Sequence, residues 1–234
     1  MIKDNNQFIK KKNIDFFSQN TKYQKDVNNI DTYKILYKII TEYIKGTNKL
    51  LDIGHGGSFD YDTSQVDEIT GLDLDNMIDP QYLSKNIKLE IGSALEVPKN
   101  LINYDAVLLV MLIHHLIGKT VNENLENLEK CISESKKTLT QNGKIIIVES
   151  CVPKWFYLIE RLLFKPSSYL INKLLKHPPA FQYTKDIILK VLQKNGFKDI
   201  KCEKVKQGKF ILQYGFKFPT FLTPVETIIF TATK

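Results

Sequence analysis

Arginine is nearly missing from this chain of 234 residues, because Arg161 is the single arginine among 33 basic residues. The net charge of +7 at pH 7 is therefore carried by lysine. Nucleic-acid surfaces favour arginine, whose planar guanidinium forms bidentate contacts with phosphate and guanine. The composition thus argues against a nucleic-acid partner and is compatible with an anionic small-molecule substrate.

Cysteine and long hydrophobic runs are scarce as well. The three cysteines form no Cys-x-x-Cys pair, so neither a disulfide framework nor a metal site is predicted. The longest apolar run, residues 106–117, contains two histidines and is shorter than the roughly 20 residues of a membrane-spanning helix. Residues 1–13 lack the apolar segment of a signal peptide. We therefore expect a cytoplasmic protein without a membrane span.

The pattern that is present is the alternation of an α/β protein. Short apolar runs occur at residues 50–53, 68–72, 87–91, 106–110 and 144–149. A run that is apolar on both faces, such as 106–110, is typical of the centre of a parallel sheet. Apolar residues recur at the three- and four-residue spacing of a helix over 31–44, 121–138 and 184–194. Further strands are predicted at 200–205 and 226–233. This order predicts a doubly wound sheet in one domain, residues 1–234, with an N-terminal helical arm (1–47) and an inserted cap segment (151–183).

Glycines and carboxylates stand at the predicted strand ends, where doubly wound sheets bind their ligands. Gly54 and Gly56 follow the first strand and allow a sharp turn close to a ligand. Asp73 ends the second strand, where a carboxylate can accept both hydroxyls of a ribose. A dinucleotide fingerprint is disfavoured, because Phe59 occupies its third glycine position and Asp52 would repel a pyrophosphate. A ligand with an ammonium or sulfonium group suits Asp52 better.

Six segments resemble, in order, the motifs of class I S-adenosylmethionine-dependent methyltransferases of the small-molecule type. They are LLDIGHGGSFD (50–60), ITGLDLD (69–75), IGSALEVP (91–98), YDAVLLVMLIHHL (104–116), LTQNGKIIIVES (139–150) and LQKNGFKDI (192–200). The resemblance covers residues 48–234. It implies a Rossmann-like, seven-stranded, mostly parallel sheet with an antiparallel last strand, N-terminal helices and an inserted helical cap. It also implies S-adenosyl-L-methionine as cofactor and S-adenosyl-L-homocysteine as product.

The resemblance assigns cofactor contacts to residues at these motifs. Asp73 would hold the ribose, Ser93 would meet the adenine edge, and Asp52 would neighbour the methionine moiety. Three positions depart from the family pattern: His55 is bulkier than usual, Ser58 replaces the third loop glycine, and Ser93 replaces an acidic residue. The predicted cofactor-binding residues are Asp52, Gly54, His55, Gly56, Asp73, Leu74, Ser93, Ala94 and Val110.

Candidates for catalysis lie after the fourth and fifth strands. His114, His115 and Glu149 are predicted as possible general bases for an oxygen or nitrogen nucleophile, with a structural role of the histidines as the alternative. Arg161 is suited to bind an anionic group of the substrate, and an aromatic loop over 206–224 is predicted to close the site. The predicted substrate-binding residues are Tyr23, Trp155, Arg161 and Tyr183.

These features predict methyl transfer to a small-molecule oxygen or nitrogen nucleophile in a biosynthetic pathway, by a monomer or homodimer. The chain lacks the Asn/Asp-Pro-Pro-aromatic and Pro-Cys sequences of base methyltransferases, which argues against methylation of nucleic-acid bases. Two alternatives stay open. One is methylation of RNA or protein, and the other is a non-catalytic methyltransferase-like subunit that acts through a partner.

Overall fold

The computed structural model describes residues 29–75, 78, 83–175, 180–213 and 216–234. Its central sheet has the strand order β3-β2-β1-β4-β5-β9-β6, in which only β9 is antiparallel to its neighbours. The predicted seven-stranded, mostly parallel sheet is therefore confirmed. The strands are β1 (Thr47–Ile53), β2 (Val66–Asp73), β3 (Ile87–Ile91), β4 (Tyr104–Val110), β5 (Leu139–Cys151), β6 (Lys198–Lys204), β7 (Phe210–Gln213), β8 (Phe216–Pro219) and β9 (Glu226–Thr233); β7 and β8 form a separate two-stranded sheet.

Four α-helices flank the strands in the described part of the chain: α1 (Asp31–Ile44), α2 (Val121–Thr138), α3 (Lys154–Leu175) and α4 (Lys185–Lys194). Threonine side chains cap two of them. Thr120 accepts the N–H of Glu123 at 3.2 Å at the start of α2, and Thr184 accepts the N–H of Ile187 at 3.3 Å at the start of α4. The helices predicted over 31–44, 121–138 and 184–194 are confirmed. No helix in the described ranges is long and apolar enough to cross a membrane.

The sheet has a hydrophobic core on each face. Leu50 packs in the core that α1 covers with Leu36 and Ile40, whereas its neighbour Leu51 packs in the core that contains Leu128 of α2. Successive side chains of a strand point to opposite faces. Both faces of the central strands are buried, which explains why their sequences are continuously apolar.

The connection between β1 and β2 contains no α-helix, so the predicted regular alternation of strand and helix is wrong at this point. The described residues 54–65 form an irregular loop followed by one turn of 3-10 helix at Thr63–Gln65. Gly54, Gly56 and Gly57 have φ of +76°, +62° and +89° there. Consecutive positive φ values are incompatible with a right-handed helix.

The predicted aromatic loop over 206–224 contains the hairpin of β7 and β8. Thr32 docks this hairpin on the first turn of α1, because its hydroxyl donates to the Phe210 carbonyl at 2.6 Å and accepts the Gly208 N–H at 2.9 Å. Since α1 reverses direction before β1, its first turn lies near the carboxyl end of β1. The hairpin therefore sits at the ligand-binding edge of the sheet.

Helix α3 forms the predicted inserted cap segment and leaves the same edge of the sheet, two residues after β5 ends. Tyr157 and Phe164 anchor it against Phe181 in edge-to-face contacts, with ring centroids 5.6 Å and 5.3 Å apart. Such aromatic pairs contribute about 0.5–1.5 kcal/mol beyond the burial of their area. Both α3 and the hairpin segment therefore join the sheet at its carboxyl edge.

Candidate functional site

A carboxylate at the end of β2 holds the glycine loop that follows β1. Asp73 Oδ2 accepts the Gly56 N–H at 2.9 Å, and Oδ1 accepts the Leu74 N–H at 2.6 Å. A carboxylate offers about four acceptor positions, so about two stay available to the hydroxyls of a ribose. A methyl group built on Gly56 meets no atom within 4 Å. The loop therefore borders open space beside a carboxylate, as a bound nucleoside requires.

The bulky residues of this loop pack onto β2. The rings of His55 and Phe59 stack with 4.9 Å between centroids. Both cover Gly71, where an added methyl group would lie 2.7 Å from the Phe59 ring and 3.0 Å from the His55 ring. Burial lowers the pKa of His55, although the nearby Asp73 opposes this change. Gly71 within β2 therefore leaves the room in which the His55 and Phe59 rings pack.

Asp52 lies in the interior of the protein. Its side chain is 2% exposed, and Oδ2 accepts the Tyr61 hydroxyl at 2.7 Å. Burial raises the pKa of Asp52 to about 7, the hydrogen bond from Tyr61 opposes this rise, and the negative charges of Asp73 and Asp60 add to it. The direct partner of this carboxylate is therefore a phenol, and its predicted position beside a methionine moiety stays a prediction.

We expect Asp52→Asn to stabilise the protein at alkaline pH. The folded chain keeps a proton on Asp52 that the unfolded chain releases, so stability falls as pH rises between about 4 and 7. Asparagine still accepts the Tyr61 hydrogen bond but carries no charge. Urea unfolding should show the variant more stable by roughly 2–4 kcal/mol near pH 8 and nearly equal near pH 4.

The matched control is Asp67→Asn, on the exposed surface of the same strand β2. This variant should show no such pH dependence relative to the parent. A stability difference for Asp52→Asn that stays constant from pH 4 to pH 8 would contradict the role of the buried charge.

The other predicted cofactor residues lie at the ends of β3 and β4. Ser93 follows β3 by one residue, and its hydroxyl accepts the Leu95 N–H at 3.2 Å. Ala94 beside it is 8% exposed, and Val110 is the half-buried last residue of β4. Since β3, β2, β1 and β4 are adjacent in the sheet, their carboxyl ends meet. The fold thus brings the predicted cofactor residues to one edge.

Glu149 is fully buried near the end of β5 and organises the turn after β4. Its Oε2 accepts the N–H groups of Ile113 at 2.9 Å and His114 at 3.3 Å. Its Oε1 accepts the Ser150 N–H at 2.7 Å and the Ser150 hydroxyl at 3.2 Å. The same oxygen lies 2.6 Å from His114 Nδ1. A neutral imidazole that donates from Nδ1 to this carboxylate has Nε2 as its remaining acceptor.

The two histidines differ in access to solvent. The His114 side chain is 14% exposed, whereas His115 is buried and its ring centroid lies 4.1 Å from that of His114. A histidine whose second nitrogen is held by a carboxylate is the usual arrangement of an oriented base. Of the three candidates, His114 therefore has the most access to solvent, and the Glu149 carboxylate holds its ring.

The predicted substrate residues are spread over surface and core. Trp155 and Arg161 are exposed on α3. Tyr183 is 1% exposed in the core, and its hydroxyl donates to the Asn124 carbonyl at 2.9 Å. Tyr23 lies outside the described residues. In the described residues, these side chains do not line one common surface.

Two residues that shape the site are not among the predicted site residues. Tyr61, the partner of Asp52, carries no recognisable signal in the sequence. Gly71 does carry one, because a glycine within an apolar strand marks a close approach of neighbouring groups. Its contacts with the loop show which groups approach.

Comparisons with known proteins provide information on the fold. No protein-family model matches the sequence, and a comparison with curated proteins also gives no match. Among solved structures, a candidate methyltransferase from Bacillus halodurans superposes with a TM-score of 0.57 at 17% identity, over 87% of this chain and 98% of that one. A candidate O-methyltransferase from Nostoc punctiforme gives 0.59 at 19% identity, over 94% of this chain and 61% of that one.

A third similar structure contains the cofactor. Human N-acetylserotonin methyltransferase in complex with S-adenosylmethionine gives a TM-score of 0.55 at 14% identity, over 86% of this chain and 51% of that one. The chain therefore spans little more than half the length of the Nostoc and human proteins. The topology and these superpositions agree with the motif resemblance: the chain has the fold of class I S-adenosylmethionine-dependent methyltransferases.

Proposed function

We propose that the chain transfers a methyl group from S-adenosylmethionine to an oxygen or nitrogen atom of a small molecule. The observation that carries the proposal is the pairing of Asp73 with the open loop at Gly56. A fold of this kind hosts several functions, so the proposal depends on this site and on the oriented His114. The superposed methyltransferases support it.

The residues at the carboxyl edge fit the parts of this cofactor. Asp73 would accept the ribose hydroxyls, while Ser93 and Leu74 would contact the adenine. Gly56 has no side chain, and a methyl group built on it meets no atom within 4 Å, which leaves room for the methionine arm. When bound, the cofactor supplies an electrophilic methyl group on a sulfonium. The protein contributes alignment of the reacting atoms, which is worth up to about 7–11 kcal/mol.

His114 is the residue that we assign to proton transfer. Its Nε2 would accept the proton that an attacking hydroxyl or amine loses, and the resulting imidazolium would be stabilised by Glu149, whose Oε1 lies 2.6 Å from Nδ1. General-base assistance of this kind contributes about 10²–10⁴-fold. A small-molecule acceptor is favoured over RNA because the chain has a single arginine.

Two glycines make a sharp test of the cofactor site. Gly46 and Gly56 have φ of +72° and +62°, and a methyl group built on either meets no atom within 4 Å. Replacing each by alanine should cost a similar backbone strain of roughly 1–2 kcal/mol. Only the methyl group of Gly56→Ala would intrude on the ligand, so we expect its affinity for S-adenosylhomocysteine to fall more than about tenfold, equivalent to 1.4 kcal/mol.

Isothermal titration calorimetry with S-adenosylhomocysteine measures both variants and the parent. Gly46 precedes β1, at the opposite edge of the sheet from Gly56, so Gly46→Ala should bind with the affinity of the parent. Equal affinities of the two variants, or a parent that does not bind the nucleoside, would refute the proposed site. The parent is then incubated with S-adenosylmethionine and a panel of metabolites. A catalyst releases S-adenosylhomocysteine with at least one of them, whereas a non-catalytic subunit releases none.

A further inference from the structure

Exposed hydrophobic side chains are concentrated in two segments of the described chain. Of the large apolar residues that are exposed in the described ranges, only Ile91 and Ile102 lie elsewhere. We call the two segments together the apolar rim. Its exposed members are Trp155, Leu158, Ile159, Leu162 and Leu163 on α3, and Phe210, Phe216, Phe218, Phe221 and Leu222 in and after the hairpin.

Helix α3 is apolar on two faces, and among the residues that the structure describes only one of these faces packs against the protein. Its exposed members recur at intervals of three and four residues, which places them on one side of the helix. Tyr157, Glu160 and Phe164 on the other side are buried against the protein. Leu162 is 81% exposed at the centre of the outer face. A contiguous apolar face of this kind on a soluble domain marks an interaction surface.

Both segments lie at the same edge of the sheet. Helix α3 follows the end of β5, and the hairpin segment leads into the start of β9. Cys151 at the end of β5 pairs with Glu226 at the start of β9, so the two segments leave the sheet at adjacent points. The outer face of α3 and the aromatic residues of the hairpin can therefore meet one flat partner.

The charges within the apolar rim have one sign. On α3, Lys154 and Arg161 are exposed, while the single acidic residue in 152–164, Glu160, is buried. Residues 205–225 contain three lysines and no acidic residue. Lys217 extends over the Phe210 ring, with its Nζ 4.5 Å from the centroid. The partner of such a surface is apolar and negatively charged.

We propose that the apolar rim docks onto the surface of an anionic lipid bilayer. Exposed tryptophan, leucine and phenylalanine with interspersed lysine and arginine are the composition of interfacial membrane-binding surfaces. Each basic residue near an anionic membrane surface adds to the attraction. A second copy of the chain would bring the same positive charges to the contact, which disfavours it as the partner. The proposal is independent of methyl transfer, because docking needs neither cofactor nor acceptor.

Flotation with vesicles tests the proposal on the full chain. Binding is expected to vesicles of phosphatidylcholine and phosphatidylglycerol in equal parts, and much less to pure phosphatidylcholine. The double variant Leu162→Ser/Phe221→Ser removes apolar area from both segments, and should weaken binding more than about tenfold. Lys217→Glu should weaken it and reduce its dependence on salt.

Matched controls come from the opposite edge of the sheet. Ile102 is 53% exposed just before β4, and Lys198 is exposed at the start of β6. Ile102→Ser and Lys198→Glu should leave vesicle binding unchanged. The proposal is overturned if the parent does not float with anionic vesicles, or if the controls weaken binding as much as the rim variants. It is also overturned if sedimentation shows a dimer that the rim variants dissociate, because a second copy then covers the rim.

Discussion

Asp73→Ala is expected to weaken binding of S-adenosylhomocysteine more than about a hundredfold. The variant would lose two hydrogen bonds from ribose hydroxyls to a charged acceptor, each worth about 1.5–3 kcal/mol. It would also release the Gly56 N–H, which Asp73 holds at 2.9 Å. The loop that should support the ligand would therefore lose its anchor together with the ribose contact. Calorimetric titration of parent and variant measures the change.

Asp67→Ala is the matched control, because Asp67 is an exposed aspartate at the other end of β2. It should bind the nucleoside as the parent does. Asp73→Asn should fall between the two, since its amide keeps one acceptor oxygen but carries no charge. If Asp73→Ala bound as tightly as Asp67→Ala, the ribose would have to be held elsewhere.

Glu149→Gln is expected to lower the free energy of unfolding by about 3 kcal/mol, because unsatisfied buried donors are costly. The glutamine amide would turn an NH2 group toward donors that now face a carboxylate, including the N–H groups of Ile113 and Ser150. His114→Ala removes only one partner of the same carboxylate and should cost about 1 kcal/mol. Urea unfolding at neutral pH compares the two variants.

Glu226→Gln serves as the control, since the Glu226 side chain is 50% exposed and pairs with Lys204 on the surface. Such pairs contribute about 0–1 kcal/mol. A cost of Glu149→Gln no greater than that of Glu226→Gln would show that Glu149 does not hold the turn after β4. The activity of His114→Ala is then measured under conditions in which the variant is fully folded. A loss of activity under these conditions reflects proton transfer and not stability.

The centre of the sheet could be predicted because its strands are buried on both faces. Runs such as 106–110 and 144–149 leave few alternatives to central parallel strands, and the pattern of motifs orders them. The connection between β1 and β2 could not be predicted in this way, because its glycines adopt positive φ and its aromatic residues pack on β2 instead of forming a helix face. The conformation of this connection depends on its packing against β2. The spacing of apolar residues in the sequence does not reveal such long-range contacts.

For the candidate site, the sequence predicts where the residues lie on the strands better than it predicts their burial and their hydrogen-bond partners. Asp52, Asp73 and Glu149 lie at strand ends as expected, yet the motifs do not show that Glu149 is fully buried with several donors. Tyr183 illustrates the same limit, because an aromatic residue in a cap segment and one in the core look identical in sequence. Its hydroxyl bond to the Asn124 carbonyl becomes visible only with the fold.

The hydrogen bond from Gly56 to Asp73 also restricts how this site can evolve. Natural proteins adapt a ribose pocket to a phosphorylated ribose by replacing the acidic residue at this position and providing arginine nearby. Here the same replacement would free the loop before any new specificity was gained. Lineages descending from this chain should therefore keep an aspartate or glutamate at position 73 even where their acceptors diverge.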